Sequence, residues 1–362
     1  METYYLIAVV ILILLAMSDL VVGVANDAVN FLNSSIGSKV APRHWILLVA
    51  SAGVLVGSFF SSGMMEVARK GVFYPQNFYM SEIMVIFLAV MLTDVIVLDF
   101  FNTFGLPTST TVSLVFELLG SAVAVSIFKI MGNDESLSNL GNYINSGKAL
   151  AIISGILISV VVAFVVGTIV QYFARFLFTF NYKKSINYVG SIWGGIALTA
   201  ITYFIVMKGV QGASIIDESV MTYIKENTLL ILFYSFLVWG VIFQILISVF
   251  KLNILRFVVL MGTFALALSF AGNDLVNFIG VSMAGLKSFQ IHLANPGVAA
   301  DQLLMTDLAG PVTTNFLYLF IAGLIMVVTL WTSRKAKTVT TIIKPDRQST
   351  RLNSSHTDIP RM

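Results

Sequence analysis

The sequence predicts an all-α integral membrane protein: a multi-span helical bundle with inverted repeats and a re-entrant or broken-helix hairpin. Three observations predict it. Of 362 residues, 57% are hydrophobic and 11% charged, with mean hydropathy +0.91, whereas a soluble domain carries about 25% charged residues. Nine apolar runs approach or exceed the roughly 18 residues needed to cross a bilayer. Finally, an Asn-Asp pair followed by another Asn three residues on appears twice, as Asn26-Asp27 with Asn30 directly after the first run and as Asn273-Asp274 with Asn277 inside the eighth.

The runs are 4–24, 45–65, 83–101, 111–130, 149–173, 186–207, 229–250, 254–279 and 315–331, one or two of them expected to be re-entrant. The first lacks a basic leader and a small-residue cleavage site, so it reads as a retained membrane helix. The second carries Gly53, Gly57 and Gly63, and the sixth Gly190, Gly194 and Gly195, small residues that let helices approach closely. The third contains Asp94 and Asp99. The fourth is preceded by Gly105-Leu106-Pro107-Thr108-Ser109-Thr110-Thr111, where proline and hydroxyls interrupt the helix. Backbone freed by such a break is tolerated at membrane depth only where it lines a cavity or is buried in protein. A surface loop between two helices is the alternative. Free N–H groups at a helix start attract anions, and the hydroxyls add neutral donors, although one or two of them are expected to serve as N-caps. From about Lys344 the chain turns polar, which predicts a disordered tail, a truncated or artefactual end.

Composition also excludes. There is no cysteine, hence no thiolate metal site, and His44, His292 and His356 lack metal-ligand spacing. Net charge is only +3, with basic residues scattered between apolar runs, so nucleic acid is not a partner. No activated nucleophile or histidine base is visible, which argues against an enzyme. An ionised aspartate in a membrane segment costs a few kcal/mol or more and marks function by default. Two such aspartates in matched surroundings point to ion-coupled transport of a small inorganic anion, with phosphate the best candidate. Loop charges leave the orientation of the first third ambiguous.

The same residues resemble the inorganic phosphate transporter family, whose two halves each carry a Gly-Ala-Asn-Asp-like signature. Asn26-Asp27 with Asn30 and the later Gly37-Ser38-Lys39 look like the first signature, and Asn273-Asp274 with Asn277 like the second. Glu66-Val67-Ala68-Arg69-Lys70-Gly71 is similar to the family's Glu-x-x-Arg-Lys-Gly stretch, and Pro107-Thr108-Ser109-Thr110-Thr111 to its Pro-x-Ser-Thr-Thr hairpin. The resemblance covers roughly residues 1–335. A second such hairpin, expected near residue 354 at the repeat offset of 247 (274 less 27), is not found after Asp274.

The resemblance implies a multi-pass transporter, in the cytoplasmic membrane if the source is bacterial, that carries phosphate by symport with a cation. Four segments are expected: a first repeat (1–131), connecting helices (132–250), the start of a second repeat (251–335) and the tail (336–362). Asp27 and Asp274 are assigned to the cation, sodium rather than a transition metal, because oxygen ligands suit a hard ion; protonation of one aspartate would serve the same end. Asn26, Asn30, Ser109, Thr110, Thr111, Asn273 and Asn277 are assigned to phosphate, with interhelical hydrogen bonding the alternative for the asparagines. Thr108, Glu66, Asp94 and Glu117 form a second rank, and Asp19 and Asp99 also lie in apolar runs. No cofactor is expected beyond the coupling ion, and a homodimer in the lipid bilayer is an open expectation. Rival readings are a permease for sulfate or another tetrahedral oxyanion, an intramembrane enzyme acting on a lipid phosphate, and a non-transporting structural subunit.

Overall fold

A computed structural model describes residues 2–61, 71–178, 182–212, 218–309 and 315–341. Among them every extended element is a helix, and β-pairing is confined to the isolated bridges Phe73–Ile144 and Tyr79–Leu304. In chain order the α-helices are α1 (Glu2–Ser38), α2 (Arg43–Phe60), α3 (Met80–Phe104), α4 (Thr110–Gly132), α5 (Ser146–Phe178), α6 (Tyr182–Gly212), α7 (Glu218–Glu226), α8 (Thr228–Ser248), α9 (Ile254–Ala294), α10 (Phe316–Thr332) and α11 (Arg334–Thr341). All but α7 and α11 answer to the nine apolar runs. Among the described residues seven helices are long and apolar enough to cross a membrane, while α2 and α10 are shorter apolar helices. The protein is thus an integral, multi-pass membrane protein, because only a helix satisfies every backbone N–H and C=O within its own segment.

Two helices outrun their apolar runs. The first and eighth runs end at residues 24 and 279, yet α1 continues to Ser38 and α9 to Ala294. Both Asn-Asp pairs therefore lie inside unbroken helix, and Asp274 falls at the middle of α9. A hydropathy window closes where polar residues begin, but the backbone has no reason to stop there when neighbouring helices supply the polar partners.

Helices α1 and α9 cross the molecule antiparallel and side by side. Near one end Ser282 Oγ donates to the Leu12 carbonyl at 2.7 Å, and near the other the hydroxyls of Ser35 and Thr263 meet. This register sets residues 27 and 274 at the same level. Each long helix then packs on a short helix from the other end of the chain, α9 on α2 and α1 on α10. Glycine makes the first of these contacts possible: a Cβ at Gly53 would stand 2.9 Å from Ala267 Cβ, and one at Gly57 2.9 Å from Ala271 Cβ. Gly63 lies outside the described residues.

The main core joins α1, α2, α3, α4, α9 and α10. A smaller cluster, built on Ile186, Leu198, Phe243, Ile247 and Ile254, holds α6 and α8 to the start of α9. Helix α5 stands apart, with Ala149 its buried residue and apolar side chains such as Phe164 and Phe176 facing outward, as lipid-facing helices do. Of the tail expected over 336–362, residues 336–341 belong to helix α11, and residues 342–362 lie outside the described structure.

A break in the helix places hydroxyls between two carboxylates

The site begins where α3 stops. Gly105 takes a left-handed conformation (φ 68°) and its N–H returns to the Phe101 and Asn102 carbonyls, closing the helix. Glycine carries no Cβ to penalise that conformation. Pro107 then bars continuation, and α4 starts at Thr110 with Ser109 as N-cap, its Oγ accepting from Val112 N–H at 3.3 Å. One of the hydroxyls assigned to the anion is therefore engaged in capping. Both α3 and α4 are of spanning length, so the interruption is a break between two long helices.

Helix α1 holds this break in place. Asn26, fully buried, receives the Thr108 N–H on its Oδ1 at 2.8 Å and donates through Nδ2 to Asn102 Oδ1 at 2.9 Å and to the Leu106 carbonyl at 3.1 Å. Asn102 in turn donates to the Val22 carbonyl at 2.7 Å. Asn26 spends its polar atoms on the hairpin and acts as a clamp. Asn102 was not among the residues expected in the site; its signal was an amide in the last turn before the Gly-x-Pro break.

The clamp delivers two adjacent hydroxyls to two different carboxylates. Thr110 Oγ1 donates to Asp27 Oδ2 at 3.2 Å, and Thr111 Oγ1 donates to Asp274 Oδ1 at 3.0 Å. Each aspartate also accepts from the asparagine one helical turn on: Asn30 Nδ2 to Asp27 Oδ1 at 2.9 Å, and Asn277 Nδ2 to Asp274 Oδ1 at 2.9 Å. Asn277 Nδ2 reaches Thr111 Oγ1 as well, at 2.9 Å. The i, i+3 spacing that recurs in the sequence is thus the spacing at which an amide and a carboxylate share one helix face. The carboxylates are near enough to act on one another electrostatically. Asp27 is 3% exposed, whereas Asn30, Ser109 and Thr111 open to the outside.

The remaining predicted residues divide. Asn273 turns to its own helix and donates to Ser269 Oγ at 3.1 Å, away from the paired carboxylates. Thr108 enters through its backbone N–H. Glu117 accepts from Ser113 Oγ at 2.7 Å, one turn further along α4. Asp94 is buried on α3, and Asp99 pairs with Lys335 at the surface. Glu66, with Arg69 and Lys70, lies outside the described residues.

Chemically, the break puts the positive N-terminal end of α4 against two carboxylates that retain acceptor capacity. An ionised carboxylate offers about four lone-pair sites; the hydrogen bonds of Asp274 fall on Oδ1, leaving Oδ2 open. The set is all oxygen and amide, suited to a hard cation on the carboxylates and an anion on the α4 amides.

Comparison with known proteins bears on the fold and the family. The chain matches the phosphate transporter family over residues 23–343. It is 24% identical over 290 residues to a protein of Thermococcus kodakarensis named "Putative phosphate permease", a match covering 73% of this chain and 65% of that protein. A Pyrococcus furiosus protein of the same description is 23% identical over 195 residues, covering 53% of this chain and 45% of the relative. The chain spans about half to two-thirds of the length of these relatives. A solved structure titled "The sodium-dependent phosphate transporter" superposes with a TM-score of 0.68 at 18% identity, covering 94% of this chain and 80% of that one, which shows a shared fold.

Proposed function

This chain belongs to the phosphate transporter family, and from that premise we propose that it carries inorganic phosphate across the membrane by symport with a cation, sodium in preference to a proton. The family is one of transporters, not of enzymes. The observation that carries the proposal is the division of Thr110 and Thr111 between Asp27 and Asp274.

Phosphate brings one to two negative charges, and the carboxylates alone would repel it. A cation held between Asp27 and Asp274 turns the local charge favourable, and the anion then has the α4 N-terminus and the proton of the Ser109 hydroxyl, which the cap leaves free, to bind. Each ligand lowers the cost of binding the other, which is the thermodynamic content of symport. Sodium is favoured because hydroxyl and amide neighbours help complete a coordination shell, which a proton does not need. Asn30 and Asn277 serve by orienting the carboxylates, and Asn26 by fixing the break.

The test is uptake of labelled phosphate into proteoliposomes under a sodium gradient, a proton gradient or neither. Uptake driven by sodium, with little competition from sulfate, is the expected result. Uptake that follows the proton gradient with sodium absent refutes sodium coupling, and equal competition by sulfate refutes selectivity for phosphate.

A further inference from the structure

Two turns before Asp27 on α1, Asp19 is 0% exposed, and so is Asp94 on the neighbouring α3. None of their four oxygens accepts a well-formed hydrogen bond, although the Ser113 hydroxyl of α4, which donates to Glu117, lies near enough to act on Asp94. They stand side by side, within reach of each other. Glu117 on α4 is close to the same spot, its Oε1 held by Ser113 and its Oε2 without a partner.

The groups that act on Asp19 are all acidic: Asp94, Glu117 and Asp27. No basic side chain is among the groups that act on Asp19 or Asp94. Lys129 of α4 is paired with Glu82 at 2.8 Å, and Lys335 of α11 with Asp99. On α9, Asp274 faces Asp27, while Arg256, Lys287 and His292 lie toward its ends; α10 carries no charged residue. Two ionised carboxylates in contact, dry and with no counter-charge, repel each other strongly; one proton shared between them removes the repulsion and supplies the missing donor. A metal cation would relieve the same repulsion and is the alternative that the experiment below separates from a proton.

We propose that Asp19 and Asp94 form a buried carboxyl–carboxylate pair that holds one proton, an ion site separate from the Asp27–Asp274 pair. The O–H of one carboxyl donates to an oxygen of the other; the pair carries one negative charge with the proton and two without it. Eight residues of helix separate Asp19 from Asp27, about 12 Å at 1.5 Å per residue. One unit of charge at that distance, at an effective dielectric constant of about 20, corresponds to roughly a tenfold change in cation affinity at Asp27. Release of the proton therefore tightens sodium binding, and its return loosens it.

Infrared spectroscopy of the sodium-free protein in lipid at neutral pH tests the pair without reference to phosphate. The expected spectrum contains the carbonyl stretch of a protonated aspartic acid, displaced by carbon-13 labelling of aspartate and lost in Asp19→Asn/Asp94→Asn. Where the double variant does not fold, Asp94→Asn alone is used, and the band must shift or vanish. In parallel, sodium binding measured by calorimetry weakens about tenfold on acidification in the unaltered protein and loses that dependence in the variant. Sodium at Asp27 lowers the proton affinity of the pair by the same factor of about ten, so it moves the loss of the band to lower pH; a band that sodium removes at every pH overturns the proposal in favour of a metal cation. A band unchanged in the variants, or absent altogether, overturns it outright.

Discussion

Replacing Asp274 with Asn tests the two-carboxylate cation site most directly. The carboxamide has the shape of the carboxylate and can still accept from Thr111 and Asn277, now 3.0 and 2.9 Å from Oδ1, so α9 and the break in front of α4 stay in place. What is lost is one negative charge beside the cation. At about 4 Å and an effective dielectric constant of about 20, a unit charge is worth about 4 kcal/mol. The site is open on its Thr111 side, so solvent screening reduces this to roughly 2–4 kcal/mol, or about 30- to 1,000-fold in sodium affinity. The assay is labelled phosphate uptake into proteoliposomes across a sodium titration. The half-saturating sodium concentration should rise by that factor, with protein level and helical content unchanged. Asn273→Ala is the internal control, because Asn273 donates to Ser269 on its own helix and its removal should leave the titration in place. A sodium dependence of Asp274→Asn within twofold of the unaltered protein would refute the assignment.

Three further outcomes follow from the same geometry. Thr110→Val removes a neutral donor from Asp27 and should shift the sodium titration by about 10- to 150-fold at most, since a hydrogen bond to a charged acceptor is worth about 1.5–3 kcal/mol; a larger loss than in Asp274→Asn would contradict the ranking. Asn102→Leu strands one N–H of the Asn26 amide, which keeps Leu106 and Thr108, and leaves the Val22 carbonyl without its second donor. It should cost about 1–3 kcal/mol per stranded group, read as a lower melting temperature in detergent together with faster hydrogen exchange around residues 105–109. Gly57→Leu drives a side chain into Ala271 and the Leu268 carbonyl. Overpacking of this kind costs about 1–3 kcal/mol or more, so unfolding on heating should come earlier, and an unchanged melting curve would show that α2 and α9 are not in close contact.

The nine apolar runs were legible because lipid imposes one solution on any chain that crosses it: the backbone must close its own hydrogen bonds, and the side chains must be apolar. Polar residues stand out against that background, which is why Asp27, Asp274 and their i+3 asparagines were found from spacing alone. Gly105 and Pro107 likewise announce a break through backbone conformation, a local property.

The tertiary structure decided everything that depends on which remote helix faces which. Asn26 and Asn273 occupy equivalent places in the two repeated triplets, yet one clamps the α3–α4 break through Thr108, Leu106 and Asn102 and the other turns to Ser269. Asp94 reads as one more acid in an apolar run until α1 brings Asp19 beside it. The division of Thr110 and Thr111 between two aspartates 247 positions apart (27 to 274) exists only because α1 and α9 run antiparallel in a register set by Ser282, Leu12, Ser35 and Thr263. Solvent acts on each residue where it stands, so its demands are written along the chain. Helix partnership is a property of two complementary surfaces, and neither surface by itself encodes the other.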